Sequence, residues 1–195
     1  MRLPRITITS RVVLALLILS AVWLALVVLS PLLVPSNTLK DLSGVVGGHE
    51  NERQFKNIDP LPHAIYWLGD AECHQLSNRS YFLNGNQMPF CARDAGLFLG
   101  LALGFGFATF VRWKIHPVLV LVGLVPIAID GGLQLVSSYE STNLLRLATG
   151  TLAGLVLALL LAHFLFVIGE DRAKPKPVPS EQQTIREKEV SQEAS

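Results

Sequence analysis

Charge is what this sequence has least of. Asp, Glu, Lys and Arg make up 16% of its 195 residues, against roughly a quarter in soluble domains. The balance is near neutral, with a formal net charge of +1, so there is no basic excess of the kind that nucleic-acid binding requires. Two cysteines are too few for a disulfide-stapled scaffold. Half of the chain is hydrophobic and the mean hydropathy is +0.43. These apolar residues come in long uninterrupted blocks, which is the membrane pattern and not the helical spacing of a soluble core.

Four blocks run from Val12 to Val34, Ala95 to Val111, Pro117 to Val136 and Leu147 to Ile168. A hydrocarbon core of ~30 Å takes about 20 helical residues, so the second block is short and the others are ample. The expectation is an all-α integral membrane protein with four transmembrane helices. The first block is longer than the core of a signal peptide and no small-x-small cleavage site follows it, which favours an uncleaved anchor.

Basic residues orient the spans. Arg2, Arg5 and Arg11 precede the first, Arg112 and Lys114 lie between the second and third, and Arg172, Lys174 and Lys176 follow the fourth. All fall on one side if both termini are cytoplasmic. The expected organisation has four parts. Residues 1–34 hold the cytoplasmic N-terminus and first span, and 35–93 an extracytoplasmic loop. Residues 94–169 form a three-helix transmembrane bundle. Residues 170–195, rich in Pro, Glu, Gln, Ser and Lys, make a disordered cytoplasmic tail.

Within the loop, residues 61–75 read as an amphipathic interfacial helix, with Pro62 near its start and Tyr66 and Trp67 at the lipid boundary. Asn84-Gly85-Asn86 is a turn signal that folds Cys91 back toward Cys73. Gly96, Gly100 and Gly104, and Gly150 and Gly154, recur every four residues and mark close helix contacts.

The chemistry-bearing residues gather around the two cysteines. Cys73, His74 and Cys91 suit zinc or copper, with Asp70 or Asp94 as a further ligand. A Cys73–Cys91 disulfide in an oxidising compartment is the rival reading. Arg79, Arg93 and Arg146 have the planar fork that grips phosphate or carboxylate, though arginines at a membrane surface also serve as simple anchors. Asp130 lies inside the third span, where an acid is costly and needs a partner or a cavity. Gln134 shares its helix face, and Arg146, at similar depth, is the expected partner. Asp130, Arg93, Arg146, Gln75 and Gln134 are therefore the candidate catalytic residues. His163 reads as a packing residue of the fourth span.

Cys73-His74-Gln75, Arg79-Ser80, Gln87-x-Pro89-x-Cys91-Ala92-Arg93-Asp94-x-Gly96, Asp130-Gly131-x-x-Gln134 and Ser141-Thr142-Asn143-x-x-Arg146-x-x-Thr149-Gly150 together resemble a prokaryotic membrane family catalogued as domain of unknown function 2085. The likeness covers roughly Ile65 to Gly154. It implies a multi-pass membrane protein with a shared polar site and brings no activity with it. Many members carry a cysteine where this chain has Asp94, which weighs against an all-thiolate metal site here.

These readings converge on a multi-pass cell-membrane protein with a Cys/His/Arg/Asp site at the outer face. That site would act on an anionic or lipid-headgroup substrate, with a metal as one option. A structural or accessory subunit, whose motif only stabilises a loop, is the alternative. The expected partners are the bilayer, a second copy or a membrane complex, and not nucleic acid.

Overall fold

The computed structural model describes residues 10–42 and 44–173, with side chains as far as Gly169. Arg2, Arg5 and the expected tail beyond Ala173 lie outside the described residues. The chain is mostly helical, at 69%. The helices are α1 (Arg11–Leu33), α2 (Glu52–Phe55), α3 (Pro60–Glu72), α4 (Ala92–Phe110), α5 (Pro117–Val136) and α6 (Asn143–Ala173). One small hairpin, β1 (Phe82–Leu83) and β2 (Asn86–Gln87), departs from the all-α expectation. Its cause is local. Asn84 and Gly85 both take positive φ, 53° and 71°, the geometry of the tight turn whose twist matches paired strands.

Three helices, α1, α5 and Asn143–Gly169 of α6, are long and apolar enough to cross a membrane. By the same measure α4 falls short. Its 19 residues open with Arg93 and Asp94 and include four glycines, which dilute its hydropathy.

Those glycines are why α4 and α6 run together closely along their length. A Cβ on Gly96 would collide with the Leu147 carbonyl, on Gly100 with that of Thr151, and on Gly154 with that of Leu97. Only backbones without side chains approach so closely, and between apolar helices such contact is a main source of association. α1 packs on the other side of α4 and α5 on α6. Trp23 of α1 meets Phe90 and Phe98 edge-on, each at 5.8 Å.

The polypeptide between α1 and α4 forms a cap over one end of the bundle, where α1 and α5 end and α4 and α6 begin. Val34, Leu39, Leu42, Phe55 and Tyr66 bury one another in it. Buried amides tie it down. Asn86 accepts from the backbone N–H of Thr38 (2.8 Å) and Leu39 (2.9 Å). Its amide donates to the carbonyls of Pro31 (2.9 Å) and Pro35 (3.0 Å) at the end of α1. Gln87 accepts from Leu42 N–H at 3.1 Å and donates to the Gln75 carbonyl.

Candidate functional site

α3 stops at Glu72, earlier than its sequence pattern suggests, with Cys73 extended at its C-terminus. Asp70, Cys73 and His74 therefore do not share one helical face. Asp70 turns inward, fully buried, and accepts from the backbone and side-chain N–H groups of Asn51 at 3.0 and 2.6 Å. Each of its oxygens is engaged in the cap, and it takes no part in the thiol cluster. Gln75 sits at φ 46°, an uncommon conformation for a residue with a side chain. Its buried amide donates to the Pro89 carbonyl at 2.7 Å, so this side chain joins two segments of the cap. The 89–91 segment then delivers Cys91 to the start of α4, opposite Cys73.

Cys73 and Cys91 are free thiols. Their sulfurs and a carboxylate oxygen of Asp94 all lie within 4.8 Å of one another. Cys91 and Asp94, three apart at the head of α4, share a face, and the Cys91 thiol donates to Asp94 at 3.1 Å. The two thiols are unequal. The hydrogen bond with Cys91 pushes the Cys73 thiol above its ordinary range, and burial adds to that. The same bond draws the Cys91 thiol down, against burial and the Asp94 charge. Cys91 is thus the more acidic of the pair. His74 is exposed and stands outside this ligand group.

A cavity of about 210 Å³ opens beside the thiols. Both cysteines, Asp94, Glu72 and His74 line it, together with Arg79, Arg93 and Arg146. Arg93 forms an ion pair with Asp130 of α5, and its same nitrogen donates to Gln134 at 2.9 Å. The sequence reading paired Asp130 with Arg146. The structure gives that place to Arg93, whose side chain reaches from the head of α4 across to α5. Arg146 is 2% exposed. Its Nε donates to the Ser141 carbonyl at 3.1 Å, and no carboxylate among the described residues lies within ion-pair distance of it. Arg79 reaches Glu140 of the α5–α6 turn at 3.2 Å. Glu140 and Asn143, which donates to the Ser80 carbonyl at 3.1 Å, latch that turn to the cap.

Five buried side-chain polar atoms have no hydrogen-bond partner among the described residues. They belong to Arg79, Arg93, Asp130, Gln134 and Asn143, all in this one cluster. Asp130 does not line the cavity but sits behind it, holding Arg93. His163 lines a separate hollow at the opposite end with Arg112, Trp113 and Phe166.

Residues 73–160 match the family described as predicted membrane protein, domain of unknown function 2085. An uncharacterised protein of Methanocaldococcus jannaschii is 36% identical over 110 residues, covering 54% of this chain and 69% of the relative. An uncharacterised protein of Methanothermobacter thermautotrophicus is 37% identical over 91 residues, covering 45% of this chain and 82% of its own length. The chain belongs to the domain of unknown function 2085 family. No solved structure matches it. The matched segment begins at Cys73 and takes in the thiols, the cavity arginines 79, 93 and 146, Asp130 and Gln134. It leaves out α1 and most of the cap.

Sequence reasoning missed Asn51 and the cap-holding role of the Asn86 and Gln87 amides, which it named only within a turn and a motif. A buried amide and an exposed one look alike in a sequence. Glu140 was missed because an exposed acid in a turn gives no sequence signal of its distant partner Arg79. The Asn84-Gly85 turn was the one signal that pointed toward Asn86.

Proposed function

We propose that this membrane protein captures an anionic group, a phosphate or a lipid headgroup, in the arginine-lined cavity at the capped end of its helix bundle. The observation that carries this reading is Arg146. A guanidinium is charged at any working pH. Burying it without a carboxylate partner is expensive, and this one lines a cavity that two further arginines share. An anion would supply the counter-charge that Arg146 lacks among the described residues. In this reading Asp130 and Gln134 aim Arg93, Gln75 sets the path of the chain into the thiols, and His74 lines the exposed wall of the cavity.

The membrane arrangement belongs to the same proposal. α4 spans as the fourth helix, because its polar first turn meets Asp130 and Gln134 at the cap level and the rest is glycine and apolar surface packed on α6. Its length, about 28 Å at 1.5 Å per residue, suffices. Both termini are cytoplasmic, since Arg112 and Lys114 lie at the end opposite the cap, and positive charge marks the cytoplasmic side. Residues 1–34, 35–93, 94–169 and 170–195 then form the first span, the outer cap, the bundle and the cytoplasmic tail.

The test uses full-length protein in zwitterionic nanodiscs, titrated calorimetrically with inorganic phosphate and separately with a short-chain anionic phospholipid. Binding is expected to weaken roughly ten- to hundredfold in Arg146→Met, the loss of one charge-assisted hydrogen bond. Stronger response to the lipid identifies a headgroup, and to phosphate a soluble anion. Absence of binding by both, in protein that remains folded, overturns the reading. It would leave the alternative, a structural subunit, which the buried amides of the cap favour.

A further inference from the structure

We propose that Cys73, Cys91 and Asp94 are the three protein ligands of a thiophilic divalent cation, zinc in the first instance, with a fourth position open to the arginine-lined cavity. The three ligand atoms already lie within 4.8 Å of one another. Tetrahedral zinc, with sulfur at ~2.3 Å and carboxylate oxygen at ~2.0–2.2 Å, spaces its ligand atoms roughly 3.5–3.8 Å apart. The difference is small enough for side-chain rotation to close. The backbone supporting the site is held firmly. Cys73 N–H donates to Gly69 at 2.9 Å, and Cys91 and Asp94 sit on one face at the head of α4.

The donor set selects the ion. Two sulfurs and one carboxylate are wrong for calcium or magnesium, which take oxygen shells, and right for zinc among the borderline metals. Binding forms two Zn–S bonds and one Zn–O bond. The two thiol protons, one of which Cys91 donates in a hydrogen bond to Asp94, leave through the cavity to solvent. Two thiolates and a carboxylate carry one negative charge more than the ion, and the neighbouring guanidinium groups offset it. Three protein ligands with an open position is the pattern of a catalytic and not a structural zinc. That the cavity's anion completes the shell rests on the reading given above for Arg146. The three-ligand site does not.

The experiment loads reduced full-length protein with zinc in phosphate-free buffer, desalts it and measures metal and free thiols. About one zinc per chain is expected, with both cysteines protected from alkylation. Cys73→Ser and Cys91→Ser should lose the metal, and His74→Ala should keep it. Cobalt substitution should give thiolate-to-cobalt absorption, which Asp94→Cys should raise by about half as a third sulfur joins two. Arg146→Met should retain zinc while losing phosphate affinity, so failure of the anion site and failure of the metal site are told apart. Wild-type protein that retains no zinc under reducing conditions overturns the proposal. So does cobalt-bound protein lacking thiolate bands, or a metal content that depends on His74 instead of Asp94. Recovery of a Cys73–Cys91 disulfide that forms equally fast with and without zinc also counts against it.

Discussion

The two ends of α4 are held by opposite means. Beyond its first turn the helix is fixed to α6 by the absence of side chains, with glycines at 96, 100 and 104 letting backbone touch backbone. At its head it is fixed to α5 by a long charged side chain, the half-buried Arg93, which reaches Asp130 and Gln134. The glycine seam tolerates no added atom but asks for no specific partner. The charged head needs a specific partner and adapts in shape. A seam of the first kind makes a stable, featureless bundle. Placing the second kind where the cap closes over it creates a polar cavity in a membrane protein, because groups too costly to expose to lipid must face one another or a ligand.

The largest effect is expected at the charged head. Asp130 is 4% exposed and Arg93 half-buried, so Asp130→Leu leaves Arg93 uncompensated, at a cost toward the lower end of the ~3–5 kcal/mol that breaking a buried pair carries. Thermal unfolding of purified protein should show it. Adding Arg93→Met should restore much of the loss, since an apolar pair replaces a buried ionic one at little cost. A double variant as weak as the single one would show that the pair does more than hold helices.

Asn86→Ala comes next. It strips the partners from two backbone N–H groups and from carbonyls at the end of α1. At ~1–3 kcal/mol per buried unsatisfied group, partly relieved by water, the expected loss is ~2–4 kcal/mol. Limited proteolysis should place the opening in residues 35–60. Cleavage confined to the α4–α6 region instead would mean that cap and bundle are not separately stabilised.

Gly100→Ala tests the seam itself. The new methyl meets the Thr151 carbonyl and Leu155 backbone, and overpacking typically costs ~1–3 kcal/mol. Gly132→Ala, with nothing near its would-be Cβ, is the matched control. Equal melting of the two variants would remove the seam from the account.

The smallest effect belongs to Arg79→Ala. Its pair with Glu140 is open to solvent, the side chains being 34% and 58% exposed, and such pairs contribute at most ~1 kcal/mol. Near-unchanged stability together with weakened phosphate binding would separate the cavity role of Arg79 from its latch role. A large stability loss would make it part of the cap's framework.

Much of this architecture was legible in advance because it follows from local constraints. A helix in lipid needs a continuous apolar run, so α1, α5 and α6 announce themselves by length, and α5 occupies the same residues, Pro117 to Val136, that its run marks out. Close helix contact needs glycine at a fixed spacing, and the Asn84-Gly85 turn needs residues that tolerate positive φ. The gathering of Cys73, Cys91 and the arginines could be anticipated for a related reason: polar groups flanking membrane segments have few places to go. The partner of Asp130, the inward turn of Asp70 and the exclusion of His74 from the thiol cluster were not legible. Each depends on where α3 stops and on which way α4 enters the bundle, and those are set by buried amides, Asn51, Asn86 and Gln87, from segments distant in sequence. Sequence by itself determined that this chain lies in a membrane and where its polar groups collect, since hydropathy and backbone sterics act residue by residue. Only the tertiary structure decided which of those groups meet, because charge pairing and ligand geometry depend on distances of a few ångströms that no single segment controls.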